Sequence, residues 1–92
     1  MPLVPKVRQQ LKAKAHNLKP IILIGNKGLT ETVNHEIDRA LYDHELIKMR
    51  IHDEDRDARR TLFAEICKAH RAELVHVVGK IGIIYRKSDK DK

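Results

Sequence analysis

The stretch ILIGNKGLTETV, residues 22–33, sets an unbroken apolar run against a loop bounded by two glycines, and the loop opens into a helical pattern. Lys19-Pro20 blocks helix ahead of it, so Ile21, Ile22, Leu23 and Ile24 read as a short strand. The run does not alternate, which predicts burial on both faces, as in a parallel sheet. Thr30 is a helix N-cap, with Glu31 in a first turn that favours negative charge. Strand, tight loop and helix in this order point to an α/β fold in which the loop sits at a ligand-binding edge of the sheet.

The rest of the chain extends this unit in both directions. Upstream, Pro5 suits a first helical position, and Val7, Leu11 and Ala15 recur every fourth residue, giving a helix over about 5–15. Downstream, Val33, Ile37, Ala40 and Leu41 mark one face of a second helix reaching about Tyr42, with Glu36, Asp38 and Arg39 opposite. Leu46 to Ile51 alternates, with Ile47, Met49 and Ile51 on one side and Lys48 and Arg50 on the other. Asp53, Glu54 and Asp55 supply caps for a third helix striped by Ala58, Leu62, Ile66 and Ala69, with Phe63 beside the stripe. Leu74 to Val78 is a strand, Gly79 to Gly82 a turn, and Ile83 to Arg86 a last strand.

The expected fold is therefore a two-layer α/β domain: an N-terminal helix plus β-α-β-α-β-β, with a four-stranded mixed sheet. Right-handed crossovers make the first three strands parallel, and the final tight connection makes the fourth antiparallel. Residues 1–86 form one domain, and 87–92 form a charged, fraying tail. The glycine loop and the Gly79–Gly82 turn both follow C-terminal ends of parallel strands, which puts them at one edge of the sheet.

Charge narrows the function. The net +6 arises entirely before residue 29: Lys6, Arg8, Lys12, Lys14, Lys19 and Lys27 are accompanied by no acid, and the remaining thirteen cations match thirteen acids. A one-signed segment in an otherwise neutral chain is the footprint of a polyanion-binding face. The first helix lacks the bulky apolar face of a membrane-surface anchor, and no segment has the length of a membrane span. A single cysteine, Cys67, inside an amphipathic helix reads as a core or boundary residue in a reducing compartment, and the chain as a soluble, cytoplasmic monomer.

Within the loop, Gly25 and Gly28 permit close backbone approach, Asn26 tolerates left-handed geometry, Lys27 adds charge, and Thr30 opens a helix whose N–H groups face outward. This is the chemistry of a phosphate cradle. Walker and dinucleotide-binding loops need other spacings, and the KH domain sets its G-x-x-G between two helices, whereas here it joins strand to helix. Lys12, Lys14 and Lys19 flank the loop in sequence, and Lys80 is expected at its edge, so that with Lys27 they line a phosphate track. Aromatics are few (Tyr42, Phe63 and Tyr85), so recognition depends on backbone and shape. The histidines at 16, 35, 44, 52, 70 and 76 form no i, i+4 pair and no cysteine cluster joins them, so no metal, cofactor or catalytic residue is expected.

The run LKAKAHNLKPIILIGNKGLTETVNHEIDRALYDHELIKMRI, followed by AELVHVVGKIGIIYR, resembles the CRM domain (chloroplast RNA splicing and ribosome maturation), most closely its stand-alone bacterial YhbY type. The "LKP", glycine-loop, "HELIK" and "VGK" elements all stand in order. The resemblance implies a non-enzymatic RNA-binding protein associated with precursors of the large ribosomal subunit. It also implies a fold similar to the C-terminal domain of translation initiation factor three, with an added N-terminal helix. The family loop commonly has lysine before asparagine; here the order is Asn26-Lys27. The competing expectation is a protein-interaction adaptor docking through the acidic second helix, on Glu31, Glu36, Asp38, Asp43 and Glu45. A third is a metal-dependent RNA hydrolase using Asp53, Glu54, Asp55 and Asp57.

Overall fold

The computed structural model describes residues 3–87. Its elements are α1 (Pro5–Ala15), β1 (Ile22–Ile24), α2 (Glu31–His44), β2 (Leu46–Ile51), α3 (Arg56–His70), β3 (Glu73–Val78) and β4 (Ile81–Tyr85). The sheet order is β1-β2-β4-β3. β1 pairs parallel with β2, while β4 pairs antiparallel with both β2 and β3. The first three strands therefore run one way and the fourth runs against them, as expected. The crossover through α3 leaves a gap one strand wide between β2 and β3, and the hairpin return fills it with β4.

Local chemistry sets the element ends. Thr30 accepts a hydrogen bond from the Val33 N–H at 3.2 Å, and Asp55 accepts from the N–H groups of Asp57 and Ala58, so each side chain satisfies otherwise orphaned helix donors. α1 begins on Pro5 at its first position, with no side-chain cap. The turn between β3 and β4 is only Gly79-Lys80. Gly82, expected in that turn, lies inside β4 beneath Phe63, whose ring atoms would stand 2.3–2.7 Å from a Cβ at this position. Phe63 is thus a central core residue, and Ala69, expected on the α3 stripe, is exposed; Ile66, Cys67 and His70 complete that face.

The two faces of the sheet are covered unequally. Ile22, Ile24, Ile47, Met49, Ile51 and Ile84 lie buried beneath α2 and α3, together with Ile37, Leu41, Phe63 and Ile66. The opposite face carries a smaller cluster of Ala15, Leu46, Val75 and Ile83 under α1, with Leu3, Leu11 and Tyr85 at its margin. The expected two layers therefore gain a partial third, because α1 packs on the side away from α2 and α3. Val7, expected on the buried stripe of α1, is exposed; Arg8 takes the sheet-facing place and donates to the Leu74 carbonyl.

Burial of β1 on both faces does not occur. Ile22 and Ile24 are covered, but Leu23 is 67% exposed, because β1 is an edge strand beyond the reach of α1. Among the described residues no helix is long and apolar enough to cross a membrane. The tail expected at 87–92 lies outside the described residues except for Lys87, which is exposed.

Candidate nucleic-acid interface

Residues 25–28 form a tight turn closed by the Gly28 N–H donating to the Gly25 carbonyl at 3.0 Å. Gly28 has φ of +68°, a left-handed conformation that side chains disfavour, so this glycine is required by geometry. Gly25 has an ordinary φ and open space where a Cβ would stand, so nothing in the packing requires it. Gly25, Asn26 and Lys27 are exposed, whereas Leu29 anchors the far side of the loop in the core. Thr30 gives its oxygen to the helix cap, which leaves the hydroxyl hydrogen to donate. The N–H groups of Glu31 and Thr32 in the first turn have no partner within the helix.

The loop has two unlike sides. On one, Gly25, Asn26 and Gly28 border a depression of about 230 Å³ shared with His52, Asp53, Glu54 and Leu62. That side is acidic. Lys80 shares this edge as expected: its carbonyl accepts from the Ile51 N–H, and His52 donates to Ile24. Its ammonium, however, bonds Glu54 at 2.6 Å, and that pairing holds the Glu54 carboxyl below its usual pKa. Arg59 is likewise engaged, by the carbonyls of Gly79 and Asp53.

On the other side, Gly25 and Asn26 meet Leu23, Arg50 and His52 around a shallow depression of about 420 Å³. The strand register explains this meeting. Leu23 pairs with Arg50, Arg50 with Ile81, and Ile81 with Val78, so one row of side chains crosses all four strands beside the loop. Leu23 and Val78 are both more than 60% exposed. One row further from the loop stand Lys48, Ile83 and His76.

Lys14 and Lys19 are exposed but stand at the opposite edge. Lys19 precedes β1, whereas the loop follows it, and the Ile21 N–H donates to the Lys48 carbonyl. Lys12 is exposed on α1 and lines none of these depressions. The sequence-predicted residues thus fall into two groups, the loop at one end of β1 and Lys14 with Lys19 at the other. Lys48 and Arg50 bridge them. The alternation of β2 was enough to place both on its polar side; the side of the sheet taken by α1 was not legible. None of Lys14, Lys19, Lys27, Lys48 and Arg50 has an ion-pair partner among the described residues.

The remaining titratable groups serve structure. Cys67 is partly buried against the core, and burial pushes its thiol up to about 11, so it is held as an unreactive thiol. The His70 Nε2 lies 2.9 Å from Asn34 Oδ1, and Arg86 joins Asp38 to the His70 carbonyl, tying α2, α3 and the end of β4 together. Among the described residues no group of three or more His, Cys, Asp and Glu is placed to hold a metal ion.

Fold and site together define a small α/β protein that presents a glycine-bounded loop beside a cationic, half-open sheet face. The profile of the CRS1/YhbY (CRM) domain matches residues 3–86, and the chain belongs to that family. It is 43% identical over 90 residues to a probable RNA-binding protein of Pseudomonas aeruginosa, covering 98% of this chain and 86% of that one. It is 39% identical to an RNA-binding protein of Haemophilus influenzae, covering 98% and 91%. The solution structure of a hypothetical protein from Staphylococcus aureus, described as a candidate RNA-binding protein, superposes with a TM-score of 0.85 at 37% identity, covering 98% of this chain and 94% of that one.

Proposed function

We propose that this is a cytoplasmic, monomeric RNA-binding protein that acts without catalysis on precursors of the large ribosomal subunit, with residues 1–86 as the binding domain. The RNA backbone lies across the open sheet face, from Lys14 and Lys19 over Lys48 and Arg50 to the loop at Gly25, Asn26, Lys27 and Gly28. Thr30 and the first turn of α2 close that end. Lys12 contributes long-range attraction, and Lys80, neutralised by Glu54, contributes least.

The observation that carries this reading is the segregation of charge around the loop. Unpaired Arg50 stands on its Leu23 side, with Lys48 one row beyond on the same face, while Asp53 and the Lys80-paired Glu54 stand on the other. A phosphate in the loop meets favourable potential from one direction only, which gives the bound strand its course. The names of the relatives support RNA as the polyanion, and the family resemblance supports the ribosomal setting. The adaptor reading gains less, because Asp38 and Asp43 of α2 are each paired with an arginine of the chain, Arg86 and Arg39.

Crosslinking in cells with sequencing of the attached RNA is the test. Enrichment of large-subunit ribosomal RNA and its precursor is expected; a spread over messenger RNA would contradict the ribosomal assignment.

A further inference from the structure

At the edge of the sheet away from the glycine loop, a cleft of about 300 Å³ opens between the end of α1, the entry to β1 and the start of β2. Its walls are apolar: Leu11 from α1, Leu18 and Ile21 from the connecting segment, and Tyr85 from β4. Leu18 and Ile21 are 38% and 51% exposed, so the chain leaves apolar surface open here. Three lysines, Lys14, Lys19 and Lys48, also line it, against one acid, Glu45. None of the three lysines has an ion-pair partner among the described residues. The volume lies at the small end of ligand sites, enough for one planar ring system and not two.

An apolar slot ringed by ammonium groups suits a ligand that is flat and apolar at one end and anionic at the other. Building on the RNA reading above, we propose that this cleft receives the base of one unpaired nucleotide, with its flanking phosphates on Lys14, Lys19 and Lys48. Charge complementarity selects this occupant over an apolar protein side chain, which would leave three cations beside it unmatched. The Tyr85 ring, packed on the Leu46–Ile83 cluster, supplies a wall already fixed in place, so little ordering accompanies stacking. The strand then leaves the cleft over Lys48 and passes Arg50 to the glycine loop. β2 spans about 17 Å from Leu46 to Ile51 at ~3.3 Å per residue, a run of only a few nucleotides.

The consequence is a preference for single-stranded over duplex RNA, because a base held in a helix cannot enter the cleft. The test compares the parent protein with Leu18→Asn/Ile21→Asn, which removes apolar wall without changing charge. Both positions are partly exposed, and thermal melting verifies that the variant folds. Each protein is titrated with an eight-nucleotide single-stranded RNA and with a blunt-ended duplex of the same composition.

The parent should favour the single strand, and the variant should lose about tenfold on the single strand while holding its duplex affinity. Unchanged affinity for both RNAs, or an equal loss on both, would overturn the base site while leaving RNA binding standing; the first outcome would reassign the cleft to an apolar protein anchor. A parent that binds neither RNA would remove the underlying RNA reading itself, which is a distinguishable result.

Discussion

The two faces of one four-stranded sheet have opposite fates in this molecule. Beneath α2 and α3, six strand residues are at most 4% exposed and pack against Phe63, Ile66, Ile37 and Leu41. On the other face α1 covers Leu46, Val75 and Ile83, and leaves the row Leu23–Arg50–Ile81–Val78 facing outward at the margin nearest the glycine loop. β2 contributes to both faces at once. Its Ile47, Met49 and Ile51 build the core, and Lys48 and Arg50, one residue out of phase, build the cationic surface. A small chain cannot afford separate structural and binding elements, and period-two alternation lets six residues serve both purposes.

The comparison breaks most visibly through Phe63. Phe63→Ala should cost about 3–5 kcal/mol in urea unfolding, because it empties the space above Gly82 on the closed face. Gly82→Ala should also destabilise strongly, since its new methyl would lie within the ring's volume. The matching change on the open face, Leu23→Ala, should stay within about 0.5 kcal/mol of the parent. Equal losses at Phe63 and Leu23 would mean that the open face is covered by something in solution.

Binding should show the reverse asymmetry. Arg50→Glu should leave the unfolding midpoint nearly unchanged, lower single-stranded RNA affinity by about tenfold and reduce the salt slope by about one phosphate's share, ~0.7. Retention of parental affinity and slope would remove Arg50 from the path.

Much of this organisation was legible in the sequence, and what was not has identifiable causes. The helix starts at Pro5, Thr30 and after Asp55 follow from residue chemistry within a few positions, and β2 follows from its alternation. The exposure of Leu23 is not legible because the four apolar residues Ile21 to Ile24 carry no period; only the strand order, which puts β1 at an edge, reveals it. The place of Gly82 inside β4 is hidden because a glycine that opens space for an aromatic ring looks, in sequence, like one that turns the chain. Lys14 and Lys19 are near Lys27 in sequence, yet the length of β1 separates them in space. The neutralisation of Lys80 by Glu54 depends on a contact 26 residues apart, which local pattern does not reveal.

Smaller effects sharpen the closed face further. Arg86→Ala removes a 2.9 Å pair with Asp38 and the donation to the His70 carbonyl, and should cost about 1 kcal/mol in the same unfolding assay. The pH dependence of stability should carry the sign of His70. Burial lowers its pKa below the ordinary 6.5; the nearby Asp38 opposes that shift and Arg86 adds to it. The unfolded chain therefore takes up the proton first, so this contribution is full above about pH 6.5 and declines as the pH falls through the folded value. In a His70→Gln variant that decline should be shallower across the same range.

The claim that RNA follows the open face is tested most directly by mapping backbone amide NMR shifts during titration with single-stranded RNA. The account predicts perturbations at Lys19, Leu23, Gly25 to Gly28, Thr30 with the first turn of α2, Lys48 and Arg50, with the rest of α2 and the exposed surface of α3 unmoved. A map centred on α3, or on the Asp53–Asp55 turn with β2 unaffected, would contradict it.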